Sequence, residues 1–435
     1  MWIFALGLSL SSAVPAVQVP ANGTVAIVGA TLIDGTGRPP VENAVILIGN
    51  GRITAVGAAR DTPVPAGARI VEAGGKFAIP GLADVHTHLK SGAFVFSGED
   101  YPVHLKRLLA FGVTTAFVPS IPDATFLELK TLTAGDSGPY PRLLGVGSGF
   151  GTLDGPKPET AEEARRLVRE AKSAGIDAVK LAYDDVTWLT TRSTLTLSPE
   201  VMQAIIDEAH AQGLRAFVHA PLLPHAKETL RAGADGLLHG ILSAPVDDEF
   251  ISMMAANGAV YVSTLSLFEG CADIAGWAAR QESFDVNRLT PADVYASLKS
   301  SGTVDQWEST LDNLAYTRAR LPNLRTNLER VRAAGIPVAI GTDSGFPGVV
   351  LGVSLQLEIV LHVEAGLPPL EAIGLATLGA ARMLRLENEM GSIETGKRGD
   401  LVLLDADPIA DIRNLRTAFL VLRGGVPYTP DELVR

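Results

Sequence analysis

The stretch Gly81–Leu89, GLADVHTHL, places two histidines two residues apart at the end of a short apolar run. Alternate side chains of an extended strand share a face, so His86 and His88 point the same way from one strand end. Four later runs repeat the design: IDAVKLAY with Lys180, LRAFVHA with His219, DGLLHG with His239, and PVAIGTDSG with Asp343. Nitrogen and oxygen donors gathered at the ends of different parallel strands make a metal site, and a catalytic one.

Outward from these runs, strand and helix alternate between Gly81 and about Leu384. The expected strands are 82–88, 113–118, 142–147, 176–181, 214–219, 235–239, 259–263 and 337–342. Helical patterns with recognisable ends separate them. Thr160 and Glu163 form a capping box before EEARRLVREAKSAG, and Gly175 stops that helix. Ser198-Pro199 opens SPEVMQAIIDEAHAQG, and Gly213 closes it. The expected fold is α/β: a (β/α)8 TIM barrel over 81–384. The least regular part is the Gly-rich loop after the third strand, GSGFGTLDGPKP.

Both chain ends have a different texture. Residues 23–80 hold β-branched runs broken by Gly, Asn and Pro, with Asn50-Gly51 as a hairpin turn. The same pattern returns over 385–435, so the two ends are expected to form one small β-sandwich. LPPLEAIGLATLGAARMLRL, between barrel and returning strands, reads as ordinary barrel packing. An insertion at 264–322 is too long for a usual connection and carries Phe268, Trp277, Phe284, Tyr295, Trp307 and Tyr316. It leaves from the catalytic face, as a lid or as a merely decorative helical addition.

Composition narrows the function classes. The chain of 435 residues is 47% hydrophobic and 19% charged, a globular balance. A net charge of −12 lacks the basic face that nucleic acid requires. The single cysteine, Cys271, excludes an intramolecular disulfide. Residues 1–22 begin with the apolar core and small-residue exit of a secretory signal, although no Lys or Arg precedes Arg38. The expectation is a periplasmic or secreted protein, otherwise a cytoplasmic one, with no membrane association once mature. The partner is a small-molecule substrate, and a homo-oligomer is left open.

The order HxH, Lys, His, His, Asp resembles the amidohydrolase superfamily, in its binuclear class with a bridging lysine. TLIDGTGRPPVENAVILIGNGRI and GSIETGKRGDLVLLDADPIADI are similar to the imidazolonepropionase-like branch, which includes Xaa-Pro-type dipeptidases. The resemblance implies that His86, His88 and Asp343 hold one divalent ion and His219 and His239 another. Lys180, carboxylated, would bridge the two. An ammonium offers only donors, whereas a carbamate supplies two anionic oxygens suited to ions about 3.5–4 Å apart. Two zinc ions are the expected cofactors, with manganese, cobalt or iron able to replace them. The implied reaction is amide hydrolysis by a metal-bridging hydroxide, with Asp343 as base and then acid.

Departures from the family pattern concern the surroundings of that centre. Many relatives read HAH where this chain has His219-Ala220-Pro221, with His225 as a substitute nearby. Tyr183-Asp184-Asp185 follows the Lys180 strand in place of a small-residue turn. Tyr183 and His225 are therefore candidate substrate contacts, while His104, His210 and His362, on helical stretches, read as structural. The expected substrate is a dipeptide or N-acyl amino acid. The alternatives are a lactone, an ester or a phosphotriester cleaved by the same centre and, remotely, a non-catalytic scaffold. Cyclic-amide opening is disfavoured, because imidazolonepropionase is of the mononuclear type without the lysine bridge.

Overall fold

The computed structural model describes residues 23–89, 101–135, 138–152, 155–191 and 195–435. The expected signal segment 1–22 lies outside them.

The β-branched runs of both chain ends meet in one sheet. Its order is Val426–Tyr428, Ala418–Arg423, Leu401–Leu404, Phe77–Pro80, Val25–Leu32, Val41–Gly49 and Arg52–Ala58, with Arg69–Glu72 also paired to Val25–Leu32. Asn50 and Gly51 have φ of 51° and 76°, the left-handed pair of a primed hairpin turn. The sheet curls on itself. Ile53 donates its N–H to Lys397 O and Gly399 to Gly51 O, both at 2.8 Å, so the far edge strand also bonds the segment entering Leu401–Leu404. Ile27, Ile46, Leu403 and Leu422 share the buried cluster of this sheet. The expected sandwich is thus represented by one continuous, curled sheet.

All eight expected positions along 81–384 hold a strand, and every pairing among them is parallel. One sheet contains Leu82–Asp84, Val113–Val118 and Arg142–Gly145. The other contains Val179–Ala182, Ala216–His219, Gly236–Leu237, Val260–Val262 and Val338–Ala339. Hydrogen bonds join the two at both margins. Phe150 donates to Lys180 O at 2.9 Å and accepts from Ala182 N at 2.8 Å. At the other margin Val85 donates to Ile340 O at 3.2 Å and His88 to Ser344 O at 2.6 Å. Ala83, Phe117, Val146, Ala178, Phe217, Leu238, Val262 and Ala339 belong to one buried cluster, a residue from each of the eight strands or its immediate flank.

Several strands are shorter than expected because the polar residues at their ends leave the ladder. His86 sends its N–H to the Asp84 carboxylate at 3.1 Å, and Asp343 sends its own to His86 O at 2.7 Å.

Helix ends follow the sequence signals closely. Thr160 accepts from Glu163 N at 3.2 Å, but the Glu163 carboxylate turns back to Glu159 N at 3.1 Å, one residue earlier than a reciprocal box requires. Ser198 caps Pro199–Ala211 through Val201 N. The apolar stretch at 367–386 forms Pro369–Gly374, a wide π turn at Leu375–Gly379 and Ala380–Leu384. Ala380, Ala381 and Met383 pack into the same cluster as the eight strands. Among the described residues no helix is long and apolar enough to cross a membrane.

The insertion is helical: Leu265–Ala272, Ile274–Phe284, Ala292–Leu298 and Ser301–Thr310, followed by Leu314–Ala333. Residue 322, expected to end it, is Pro322 inside that last helix, which runs on unbroken. The insertion is stitched to the loop after the Lys180 strand. Asn313 donates to Thr187 O at 2.5 Å, Thr317 to Trp188 O at 2.5 Å, and Asp312 accepts from Thr191 N at 2.7 Å.

Candidate metal centre

His86, His88, His219, His239 and Asp343 converge at one end of the parallel strands. Ring centroids lie 5.4 Å apart for His86 and His88, 4.7 Å for His86 and His239, and 4.4 Å for His219 and His239. Asp343 Oδ1 sits 3.1 Å from His86 Nε2 and 2.9 Å from His88 Nε2. Donor atoms of His86, His239 and Asp343 all fall within 4.8 Å of one another, a spacing that could hold a metal ion.

Glycine makes the close approach possible. A Cβ on Gly341 would lie 2.7 Å from His86 Cβ, and one on Gly345 (φ +89°) only 2.1 Å from His88 O. Asp343 itself has φ of 60°, a left-handed conformation uncommon outside glycine and tolerated best by Asp and Asn.

The protein fixes one nitrogen of each of three imidazoles. His86 Nδ1 faces Leu238 O at 3.0 Å. A carbonyl only accepts, so Nδ1 carries the proton and Nε2 presents a lone pair. His219 Nε2 faces the Asp184 carboxylate at 2.9 Å, which leaves Nδ1 as its lone-pair atom. His239 Nδ1 pairs with Thr264 Oγ1 at 2.9 Å. Such outer partners orient metal-ligating histidines.

Two observations test whether a cation fits. His86 Nε2 is buried and, despite its closeness to Asp343, makes no hydrogen bond of proper geometry. A lone pair and a carboxylate facing each other in the interior need a positive charge between them. Lys180, 3% exposed, has no hydrogen-bond or ion-pair partner among the described residues. The donor set therefore suits divalent metal.

Burial dominates the electrostatics. It pushes His86 down to about 4 and His239 well below the usual imidazole range, with His219 and His86 adding to the latter. Burial also lowers Lys180 to about 8, opposed by the charge of Asp343. Burial alone would raise Asp343, yet the imidazoles of His86 and His88 hold it well below the usual carboxylate range.

The amidohydrolase family model matches residues 77–426, from the strand Phe77–Pro80 of the terminal sheet to the start of Val426–Tyr428 in the same sheet. The chain belongs to the amidohydrolase family. Imidazolonepropionase of Rhizorhabdus wittichii is 29% identical over 403 residues, covering 87% of this chain and 92% of that protein. The 5-methylthioadenosine/S-adenosylhomocysteine deaminase of Symbiobacterium thermophilum is 26% identical over 401 residues, covering 88% and 85%. Among solved structures, a Bifidobacterium longum protein provisionally described as a prolidase superposes with a TM-score of 0.76. It is 28% identical and covers 94% of this chain and 95% of its own. This amidohydrolase is accordingly a hydrolase acting on carbon–nitrogen bonds, and its relatives differ in substrate.

The two candidate substrate contacts lie next to each other. The Tyr183 ring stands 5.6 Å from His225, and its hydroxyl is committed to Glu228 Oε2 at 2.6 Å. His225 faces Asp184 and Asp185 at 3.8 and 3.9 Å. The histidines read as structural are held locally: His104 by Leu89 O, His210 by Asp235, and His362 by Ser263 Oγ and Glu358 O.

Sequence reasoning missed the roles of Asp184 and Thr264, and it did not name Trp188, which forms an aromatic wall with Phe268 of the insertion. Trp188 stands 5.3 Å from Phe268 and 6.3 Å from His219, and Phe268 stands 6.4 Å from His239. Trp307 packs on Phe346, just past Asp343, at 5.9 Å.

Proposed function

We propose that this amidohydrolase is a metal-dependent hydrolase cleaving the amide bond of a dipeptide or N-acyl amino acid. The carrying observation is the convergence of five donors from four strand ends, with a buried lysine that has no acceptor among the described residues. The strands are read as one closed (β/α)8 barrel. Support comes from the hydrogen bonds at both sheet margins and from the single cluster drawing on all eight strands. The curled terminal sheet is read as the two layers of the expected sandwich.

His86, His88 and Asp343 would hold one ion and His219 and His239 a second, with Lys180 between them as a carbamate. When bound, the ions supply Lewis acidity, polarising the substrate carbonyl and acidifying water. Asp343 accepts the proton of that water on its carboxylate and returns it to the leaving nitrogen. Asp184 keeps His219 in the required tautomer, and Thr264 holds the ring of His239 in orientation. Trp188 and Phe268 exclude bulk water from the histidine side of the centre.

A hydrolysis screen of protein expressed with zinc and bicarbonate tests the reading. The panel holds dipeptides, N-acyl amino acids, lactones and a phosphotriester. Turnover of amides bearing a free carboxylate is expected; turnover of lactones or the phosphotriester alone would overturn the substrate class.

A further inference from the structure

Asp184, Asp185 and His225 form a second group of donors, with one ligand atom of each lying within 4.8 Å of the others. We infer that this cluster is a separate divalent-cation site beside the main centre, bound through Asp184 Oδ1, Asp185 Oδ2 and the His225 ring.

Unpartnered atoms point to it. Asp184 is fully buried, and its two oxygens are used unequally. Oδ2 meets His219 Nε2 at 2.9 Å and accepts from Trp188 Nε1 at 2.8 Å. Among the described residues Oδ1 has no hydrogen-bond partner, nor does the buried Nδ1 of His225 opposite it. These two atoms are 3.8 Å apart, too far for a hydrogen bond. An ion at about 2.0–2.2 Å from each spans that gap.

Asp185 is oriented toward the same ring. Its Oδ1 accepts from Thr187 N at 3.0 Å and Thr187 Oγ1 at 2.6 Å, leaving Oδ2 beside the ring, 3.9 Å from the nearer nitrogen, Nε2, and Asp185 offers a ligand atom within 4.8 Å of those of Asp184 and His225. A protonated His225 gripped by two carboxylates would be expected to close at least one of these contacts to hydrogen-bond length. Neither is closed. Two carboxylates with a neutral imidazole carry a charge of −2, matched by one divalent ion of the zinc, manganese or cobalt type. Because the other oxygen of Asp184 orients His219, an ion here would hold that carboxylate in place from behind.

The site is independent of the proposed substrate, and its test reads metal rather than turnover. Full-length protein, equilibrated with zinc at one fixed free concentration, is assayed for bound metal by elemental analysis. Parent, His225→Ala and Asp185→Asn are compared, with folding checked by circular dichroism. Asp185→Asn retains an oxygen for Thr187 and so keeps the local turn should His225→Ala fail to fold. The parent is expected to hold one equivalent more than either folded variant. Equal metal content in parent and folded variants would overturn the site, and would leave the cluster as a plain ion-pair group or a contact for a cationic substrate. Loss of hydrolysis without loss of metal likewise counts against it.

Discussion

Asp84 and Thr342 are joined twice: the Asp84 carboxylate accepts from the Thr342 hydroxyl at 2.7 Å and from its backbone N–H at 3.1 Å. The same carboxylate takes the N–H of His86. One buried acid thus ties the strand end bearing His86 and His88 to the segment bearing Asp343. Thr342→Val removes the hydroxyl, which also accepts from Ser344 N, and leaves buried groups unmatched. A loss of about 1–3 kcal/mol in urea unfolding is expected. An unchanged midpoint would show that backbone bonds alone close this seam.

Asp343→Asn keeps a residue type that tolerates the left-handed backbone while removing the proposed base and a negative charge. The rate of amide hydrolysis should fall at least ~10²-fold with the fold intact by circular dichroism. Full activity in this variant would refute the proton-transfer role.

Lys180→Ala removes the group proposed to bridge two ions. Metal content by elemental analysis should drop relative to the parent prepared with bicarbonate. An unchanged two-metal count would rule out the carbamate.

Thr264→Val leaves His239 Nδ1 without its partner. Outer-shell losses of this kind weaken metal binding about 10–100-fold, to be read by chelator competition. Equal affinity in parent and variant would mean that the strand alone orients His239.

Glu358 is buried behind the insertion, where it accepts from Leu265 N at 2.8 Å, Ser266 N at 2.6 Å and Ser263 Oγ at 3.2 Å. Burial raises its carboxyl from 4.5 to about 7. The folded state therefore binds this proton more tightly than the unfolded chain. The resulting stabilisation is complete below the unfolded value and is lost as pH rises through the folded one. Gln cannot titrate, so the Tm advantage of the parent over Glu358→Gln should be largest at acidic pH and shrink toward and beyond neutrality. A difference that does not vary with pH would show that Glu358 keeps the same protonation in both states.

The eight strand positions and all five convergent donors were legible because each carries a local signature, an apolar run with one polar terminus. What surrounds them was not. Asp184 meets His219 across 35 positions and Thr264 meets His239 across 25. Thr264 reaches the ring from a left-handed backbone (φ 44°) that no periodicity announces. The insertion showed its length and aromatic content, but nothing in its pattern told which surface those rings would cover. Glu358 did leave a trace: with Ser354, Gln356 and His362 it interrupts a mainly apolar helix, Val353–Glu364, buried along most of its length. Polar residues on such a helix imply a bonding network, although not its partner. The terminal strands were readable as strands from β-branched texture; their single-sheet pairing depends on contacts between chain ends more than 300 residues apart and has no local trace.

Within the insertion the constraints are unequal. Helix Leu265–Ala272 begins at the residue that holds His239 and carries Phe268 into the aromatic wall, so deleting it would damage the centre itself. Ala292–Leu298 and Ser301–Thr310 lie further out, and the latter has Trp307 as its one fully buried side chain. A chain that loses the inner helix therefore loses a support of the centre, whereas the outer pair is tied to it mainly through Trp307, which packs on Phe346 and donates to Cys271 O.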